Sequence, residues 1–417
     1  MDQNSNHHRR LLFFSPLLAM PSQHGGCVYP HAILSELHRQ GFAIDYGWLG
    51  APLTGGRRWM RNPLAASYVA NGWIRGTARL GSLLLPATAA GWLGRPEALP
   101  YDPKINGGEH TATPAERRFA AQLIRRLRPR SVLIDSTPML TLLDDLSAAE
   151  RASVQVAVLT HNLTFRRAEL YRAHGQPLDF LPMTPGEETA LLDRADTIIA
   201  IQEREAESFR ELLPGKRVIT VPMPLTTQPQ PATAETPGRC LFVGGYSGHN
   251  IEAVQWLLAD LWPRVQKTVP SAELVIAGTV GRSVQNPPPG VRVIGPVEHL
   301  KNEYAATSLC LVPLPLGTGL KIKLVEAMSY GRAVVTTPSG AEGFADLEAG
   351  RIAVVAGEAT AFADQVIQLL RDAPRRAEVA RRQLAWIEQT LTPATALAPF
   401  SACLLSPSVP QHPKPTG

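Results

Sequence analysis

The residue types and spacing best suited to chemistry in this chain of 417 residues lie between Gly317 and Gly331. This stretch follows an apolar run at 309–312 that predicts a strand, and its apolar spacing predicts a helix over 322–330. A helix N-terminus offers free backbone N–H groups and the positive end of the helix dipole, and glycines let the backbone approach a bound group closely. The stretch therefore predicts an anion site.

Three charged side chains extend this prediction. Lys321 and Lys323 can add positive charge beside the anion. Glu326 follows Lys323 by about one helical turn, where a carboxylate can accept hydrogen bonds from ribose hydroxyls. The pattern indicates a nucleotide site, although an ordinary strand-to-helix turn with an exposed Lys–Glu pair remains the alternative.

The rest of the chain supplies elements that could position such a site. Apolar runs that predict strands alternate with helical patterns; they lie at 11–14, 42–46, 132–134, 154–159, 197–201, 240–243, 274–277, 291–294, 309–312 and 333–336. This alternation is typical of the α/β class, in which helices cover both faces of a parallel sheet. The length exceeds what one core usually holds, so two such domains are expected.

The composition places the domain boundaries. Prolines among polar residues indicate a linker at 222–239, which separates a first domain at 1–221 from a second at 240–385. A helix at 386–405 is expected to return to the first domain. The proline-containing tail at 406–417 is expected to be disordered.

The segment from Lys323 to Gly331 closely resembles the signature of family 4 of the retaining GT-B glycosyltransferases. The resemblance covers most of 239–344 and includes Asn250, the run 241–245 and the run 274–278 in the same order and similar spacing. It implies GT-B architecture, with two Rossmann-like, doubly wound parallel-sheet domains that face a deep cleft.

The resemblance also implies a reaction. A sugar would pass from a nucleoside-diphosphate sugar, of the UDP or GDP type above all, to a hydroxyl of a glycan, a lipid-linked acceptor or a small molecule. The anomeric configuration would be retained, and neither a metal ion nor a cofactor would be needed. Such transfers build polysaccharides, glycolipids and other glycoconjugates.

The resemblance assigns roles to individual residues. Donor binding falls to Gly25, Gly26, Gly244, Gly245, Asn250, Val297, Thr318, Gly319, Leu320, Lys321, Lys323 and Glu326, and catalysis to His161, Lys323 and Glu326. His161 follows a strand at the edge where open α/β sheets bind ligands. The paired glycines at 25 and 26 face the diphosphate in the family, and a plain tight turn is the alternative.

Two positions depart from the family pattern. Thr318 replaces the first glutamate of a Glu-x7-Glu pair whose second member is Glu326. The turn after Val243 lacks the usual Arg and Lys partners of the diphosphate and offers Gly245, His249 and Asn250, so the two lysines at 321 and 323 are expected to neutralise it. A GT-B protein that binds sugar nucleotides without turnover, as a scaffold, is the alternative function.

Other enzyme classes fit less well. An epimerase or phosphorylase of GT-B architecture would need catalytic carboxylates or a pyridoxal lysine that the sequence does not identify. A dehydrogenase is disfavoured because no strand-to-helix turn has the GxGxxG pattern with an acidic residue about 20 positions later. The net charge of +5 comes without a nucleic-acid recognition motif, so nucleic acid is not expected as a partner.

Cysteines and apolar windows bear on the compartment. The four cysteines are far apart and form no metal-binding spacing, as in a reduced, cytosolic protein. The most apolar window, 80–93, is interrupted by Pro86 and Gly91, so no transmembrane helix is expected. The segment 57–100 predicts a helical insertion, and the alternative is a peripheral contact of Trp59, Trp73 and Trp92 with the inner face of the cytoplasmic membrane.

Overall fold

The computed structural model describes residues 9–17, 25–50, 60–61, 69–75, 77–80, 83–86, 110–178, 180–297, 299–316, 319 and 321–406. Several residues assigned above lie outside these ranges, namely Thr318, Leu320, Trp59, Trp92 and the tail 407–417.

The N-terminal half is built on a seven-stranded sheet in which every pair of neighbouring strands is parallel. Its strands, with three further short ones, are β1 (Arg10–Ser15), β2 (Ala43–Trp48), β3 (Met60–Arg61), β4 (Val69–Ile74), β5 (Thr77–Leu80), β6 (Leu83–Pro86), β7 (Ser131–Asp135), β8 (Gln155–Leu159), β9 (Thr197–Ala200) and β10 (Arg217–Thr220). The sheet order is β10-β9-β8-β7-β1-β2-β4, and β3, β6 and β5 form a separate antiparallel sheet.

Six α-helices connect these strands in the described part of this half. They are α1 (Gly25–Arg39), α2 (Pro114–Leu127), α3 (Ala148–Ala152), α4 (Thr164–Ala173), α5 (Pro185–Leu192) and α6 (Glu203–Leu212), with a 3-10 segment at Thr137–Asp145. Helices α2, α3 and α5 each begin with a capping box, in which the N-cap side chain and a glutamate three residues later satisfy each other's backbone N–H groups.

The first strand shows why the sheet is covered on both faces. Leu11 and Phe13 pack into one hydrophobic core, whereas Leu12 and Phe14 pack into a second core on the opposite face. Successive side chains of a strand point to opposite faces, so a continuous apolar run requires helices on both sides.

The C-terminal half contains a second parallel sheet, six-stranded, with the order β13-β12-β11-β14-β15-β16. Its strands are β11 (Arg239–Val243), β12 (Glu273–Ala277), β13 (Val291–Gly295), β14 (Leu309–Val312), β15 (Ala333–Thr336) and β16 (Val354–Val355). Its helices are α7 (Gly248–Trp256), α8 (Trp262–Thr268), α9 (Leu300–Ala305), α10 (Ile322–Ser329), α11 (Pro338–Ala341), α12 (Ala345–Glu348), α13 (Ala359–Arg371) and α14 (Ala373–Thr390), and a π-type turn at Leu257–Leu261 joins α7 to α8.

The last helix, α15 (Pro393–Leu405), packs on the N-terminal half. Leu397 and Phe400 are fully buried in the same core as β1 and α1, and Ser401 Oγ donates a hydrogen bond to Gln40. The chain thus crosses between the halves twice. The two crossings meet where the N–H of Leu225 donates to the carbonyl of Leu391 at 2.7 Å.

Part of the sequence prediction for 57–100 is wrong. The described residues there form strands rather than a helical insertion, and β4 extends the main sheet beside β2. Trp73 of β4 is half-buried against the N-terminal core, with the Arg126 guanidinium 4.7 Å from its ring centre. This tryptophan therefore packs within the domain, and the edge strand β10 is an element that the sequence prediction missed.

Two other expectations can be compared with the structure. All four cysteines are free and buried. None of the helices in the described ranges is both long and apolar enough to cross a bilayer.

Candidate functional site

The carboxyl ends of β11, β12 and β13 are held together by glycines. Gly278 has φ +95°, and a Cβ built on it would lie 2.2 Å from the carbonyl oxygen of Gly244. The Gly278 N–H donates to Gly295 at 2.6 Å, and the Gly244 N–H donates to Ala277 at 3.0 Å. Only glycine fits this arrangement, which brings the Gly244–Gly245 turn to the edge of the sheet where open α/β folds bind ligands.

Asn250 links this turn to α10. Its amide nitrogen donates to the Gly245 carbonyl and to Ser247 Oγ, each at 3.0 Å, and its amide oxygen accepts from Lys323 Nζ. The ammonium group of Lys323 also lies 5.1 Å from the centre of the Phe242 ring. Burial lowers the pKa of Lys323 to about 7, so near neutrality this amine is poised to gain a proton when an anion approaches.

The glycine-rich turn before α10 meets the N-terminal half. Gly319 has φ +69°, and a Cβ there would lie 2.6 Å from the His161 carbonyl oxygen. Lys321 is buried, and its ammonium donates to the Gly319 carbonyl at 2.9 Å. Burial lowers the pKa of Lys321, and the nearby carboxylates of Glu342 and Glu205 act in the opposite direction. Lys321 and Gly319 therefore form one compact cationic turn.

Glu326 lies one turn further along α10 and is oriented by a tyrosine. The Tyr304 hydroxyl donates to its carboxylate at 3.1 Å, and the Tyr304 ring stacks on Tyr330 with centres 4.6 Å apart. Burial raises the pKa of Glu326, whereas the hydrogen bond from Tyr304 lowers it. Arg332 donates from Nε to the Tyr304 carbonyl, which fixes the tyrosine in turn. The structure thus brings Lys323 and Glu326 to one side of the same short helix.

Val297 is half-buried just beyond β13, and its neighbour Glu298 lies outside the described residues. The position follows the Gly295 end of β13, at the same sheet edge as Gly244 and Gly278. A flat base could therefore rest on backbone groups there without any specific side chain.

His161 follows β8 and pairs with a buried aspartate. Its Nε2 donates to Asp135 Oδ1 at 2.7 Å, and Ser15 Oγ donates to the other carboxylate oxygen at 2.7 Å. Because a carboxylate only accepts, the pair assigns the Nε2 proton to the imidazole. The Tyr29 ring packs edge-on against the imidazole with centres 5.9 Å apart. The sequence prediction missed Asp135, Ser15 and Tyr29, which lie far from His161 along the chain.

The backbone next to the Asp135–His161 pair is strained. Ser136, directly after Asp135, has φ +79° and ψ 147°, a conformation that is rare for residues other than glycine. Its N–H donates to the Leu159 carbonyl at the end of β8, which ties the Asp135 and His161 strands together. Strained residues of this kind cluster at functional sites.

Gly25 and Gly26 are the first two residues of α1 rather than a separate turn before it. The preceding residues 18–24 lie outside the described ranges, so the contacts of this pair are not assigned.

A second contact between the halves lies beside the Asn250 turn. Tyr171 of α4 is hydrogen bonded to His249 Nδ1 at 3.2 Å, and Gln176 donates to Glu252 at 3.0 Å. Burial, and next the charge of Lys323, lower the pKa of His249 to about 4. His249 is therefore neutral at physiological pH and adds no positive charge to the turn.

The C-terminal half matches a known family model. Residues 237–372 match the model described as Glycosyl transferases group 1. An uncharacterized 44.6 kDa protein in the cps region of Klebsiella pneumoniae is 26% identical over 161 residues, which cover 36% of this chain and 41% of that protein. The chain therefore matches less than half the length of this curated relative.

Solved structures match almost the whole chain at low identity. Sucrose-phosphate synthase from Thermosynechococcus elongatus has a TM-score of 0.66 at 14% identity, over 95% of this chain and 98% of that one. TarM has a TM-score of 0.64 at 8% identity, and HepE from Anabaena, in complex with UDP and glucose, has a TM-score of 0.61 at 13% identity. Each of these two matches covers 95% of this chain and 99% of the other chain. These structures confirm the predicted GT-B fold.

Proposed function

We propose that this protein is a glycosyltransferase that moves a sugar from a nucleoside-diphosphate sugar to an acceptor hydroxyl. One observation carries the proposal: α10 begins at a cationic glycine turn and, one turn later, presents a carboxylate held by a buried tyrosine. A diphosphate needs the first feature and a ribose needs the second. The match of 237–372 to the group 1 glycosyltransferases agrees with this assignment.

The resting contacts suggest how a donor would enter. Lys323 is hydrogen bonded to a neutral amide, so an arriving phosphate oxygen can replace Asn250 as the acceptor of its proton. Lys321 adds a second charge from the turn itself, and the base would lie against the backbone at Val297. Thr318 and Leu320, which lie outside the described residues, stay predicted donor-binding residues on the resemblance to family 4.

The chemical step would retain the anomeric configuration, as in family 4. The bond between the anomeric carbon and the diphosphate oxygen breaks, and the acceptor oxygen bonds to that carbon on the same face. The acceptor proton passes to the leaving diphosphate. The protein would then stabilise the charge that develops on the diphosphate, through the α10 N-terminus and the lysines. His161 would contact the donor sugar from the opposite half.

The donor and acceptor classes follow from the same resemblance. A UDP- or GDP-type donor is proposed, and UDP has the additional support that HepE was solved with it. A glycan or lipid-linked acceptor in polysaccharide or glycoconjugate synthesis agrees with the relative in a cps region. We place the reaction in the cytoplasm, at the inner membrane face where the acceptor is lipid-linked, without a cofactor or metal.

Donor hydrolysis without acceptor tests the proposal. Wild-type protein incubated with UDP- and GDP-sugars should slowly release the free nucleoside diphosphate. Glu326→Gln should weaken nucleotide binding about tenfold, because the amide is a poorer acceptor for ribose hydroxyls than the carboxylate. Lys301→Ala, an exposed change on α9, is the matched control and should bind normally. Binding without any turnover, with or without acceptors, would support the scaffold alternative instead.

A further inference from the structure

The first turn of α6, in the N-terminal half, contacts the C-terminal half beside the glycine turn. Arg204 Nη1 pairs with Glu342 Oε1 at 2.9 Å, and the other oxygen of Glu342 lies 3.7 Å from Lys321 Nζ. Glu205, next to Arg204, interacts electrostatically with Lys321 and acts to raise the pKa of that ammonium group. The ion pair between Arg204 and Glu342 therefore crosses the boundary between the halves beside Lys321.

Glu205 is a buried acidic residue, and its burial is energetically unfavourable. Glu205 is only 6% exposed, and burial raises the pKa of its carboxyl group to about 8. The backbone of Gly319 forms a hydrogen bond with this carboxyl group. Its Oε2 atom has no hydrogen-bond partner within the described ranges. A buried acid that is only partly satisfied lowers stability, so a functional reason for its presence is expected.

Two glycines of the C-terminal half lie close against residues of the N-terminal half. The His161 carbonyl occupies the space where a Gly319 side chain would begin, at 2.6 Å. Gln202, three residues before Glu205, leaves no room for a side chain at Gly343, where a Cβ would lie 1.7 Å from its amide oxygen. Close contact with the N-terminal half therefore limits the space around Gly319.

We propose that Glu205 is a positioning residue that reaches across the domain boundary and holds Gly319, and through it Lys321, in the position that binds the donor diphosphate. It does so by accepting a hydrogen bond from the backbone of Gly319, whose carbonyl in turn accepts from Lys321. The donor site is then complete only when the two halves are in contact. This inference rests on the proposed function and adds a residue from the half that does not contain the nucleotide pocket.

Substitution of Glu205 tests the inference. Glu205→Ala removes the hydrogen-bond acceptor, and Glu205→Gln keeps an acceptor of the same size. Glu203→Gln, an exposed acid on the same helical turn that pairs with Arg210, is the matched control. Affinities are measured by calorimetry with UDP, GDP and ADP as probes, and melting temperatures are measured without nucleotide.

A positioning role predicts a specific combination of results. Glu205→Ala should weaken the best nucleotide about tenfold and Glu205→Gln about threefold, with Glu203→Gln equal to wild type. In turnover, KM for the donor should rise while KM for the acceptor stays constant. The melting temperature of Glu205→Gln should be equal to or above that of wild type, because the buried carboxyl group is removed.

The opposite results separate the two proposals. If wild type binds a nucleotide and Glu205→Ala binds it equally well, the inference about Glu205 is wrong and the proposed function stands. If Glu205→Gln loses melting temperature together with affinity, Glu205 is a structural residue and the inference is also wrong. If wild type binds none of the three nucleotides, the proposed function itself fails, and the inference with it.

Discussion

At the scale of single residues, the site depends on Lys323, whose ammonium group is hydrogen bonded to the side-chain amide of Asn250. Lys323 donates to Asn250 and lies over Phe242, an environment with no carboxylate partner for the ammonium among the described residues. Burial accordingly dominates and lowers its pKa to about 7. A bound diphosphate would reverse this effect, because an opposite charge favours the protonated form.

We predict that donor affinity depends on pH through Lys323. Only the ammonium form binds the diphosphate well, so affinity should be highest below pH 7 and fall as pH rises from 7 to 9. Calorimetry in buffers of different ionisation enthalpy should show proton uptake on binding in that window. Lys323→Arg, which keeps its charge, should lose most of this dependence. A flat profile for wild type would show that Lys323 is already charged in the free protein.

A second residue-scale prediction concerns the aspartate beneath His161. Asp135→Asn should lower kcat by about 10- to 100-fold, because the amide can donate to the imidazole and turn it into the wrong tautomer. Nucleotide affinity should change little, since the pair lies in the half opposite α10. Steady-state kinetics checks the split between kcat and donor KM, with the exposed His174→Gln as control. Equal rates for Asp135→Asn and wild type would remove Asp135 from the mechanism.

The sequence analysis identified the site residues that lie close together along the chain. It missed the residues that come into contact with them only through tertiary structure. Lys321, Lys323 and Glu326 occupy one segment, so helix geometry alone placed them together. Tyr304, Asp135 and Glu205 each act on a residue at least 22 positions away. No local pattern distinguishes such residues from ordinary core or surface positions, because their chemistry depends on tertiary contacts.

At the scale of elements, the three glycines at the strand ends decide how closely β11, β12 and β13 approach one another. The buried apolar strands were predictable from the sequence, because continuous runs such as 274–277 have few other stable environments. The edge strands β4 and β10 were not, since Asn71, Gly72, Arg217 and Thr220 interrupt or shorten their apolar patterns. Backbone pairing with the neighbouring strand, rather than composition, defines them.

We predict opposite effects for two glycine substitutions in this region. Gly278→Ala should destabilise the protein by about 1–3 kcal/mol or more, because it combines a φ of +95° with a contact of 2.2 Å to Gly244. Gly245→Ala, where no atom lies within 4 Å of the added carbon, should leave stability unchanged. Urea unfolding of both variants measures the difference. Similar losses in the two would show that the glycine contact at the strand ends is not the cause.

At the scale of the whole molecule, α15 makes the N-terminal half dependent on the far end of the chain. The helix contributes Leu397 and Phe400 to the core that contains β1. It does so although 172 residues lie between the end of β10 and the start of α15. The sequence analysis predicted a helix at 386–405 that returns to the first domain. Its docking surface could be located only in the structure.

We predict that Phe400→Ala lowers the free energy of unfolding by about 3–5 kcal/mol, the usual cost of removing a fully buried aromatic ring. Nucleotide affinity measured under native conditions should remain near that of wild type, because Phe400 lies in the core with β1 and α1 and the folded state still predominates. Denaturant unfolding and calorimetry provide the two values. The exposed Glu388→Ala on α14 serves as control. An unchanged unfolding midpoint for Phe400→Ala would contradict the packing of α15.

The return of α15 to the N-terminal half also determines the order in which the two halves can fold during synthesis on the ribosome. The six-stranded sheet has all of its strands once Val355 has emerged, whereas the older, seven-stranded half still lacks the helix that seals its core. The half synthesised first would consequently mature last. Nascent chains arrested before Pro393 should leave β1 and α1 open to proteases while β11 to β16 are already resistant.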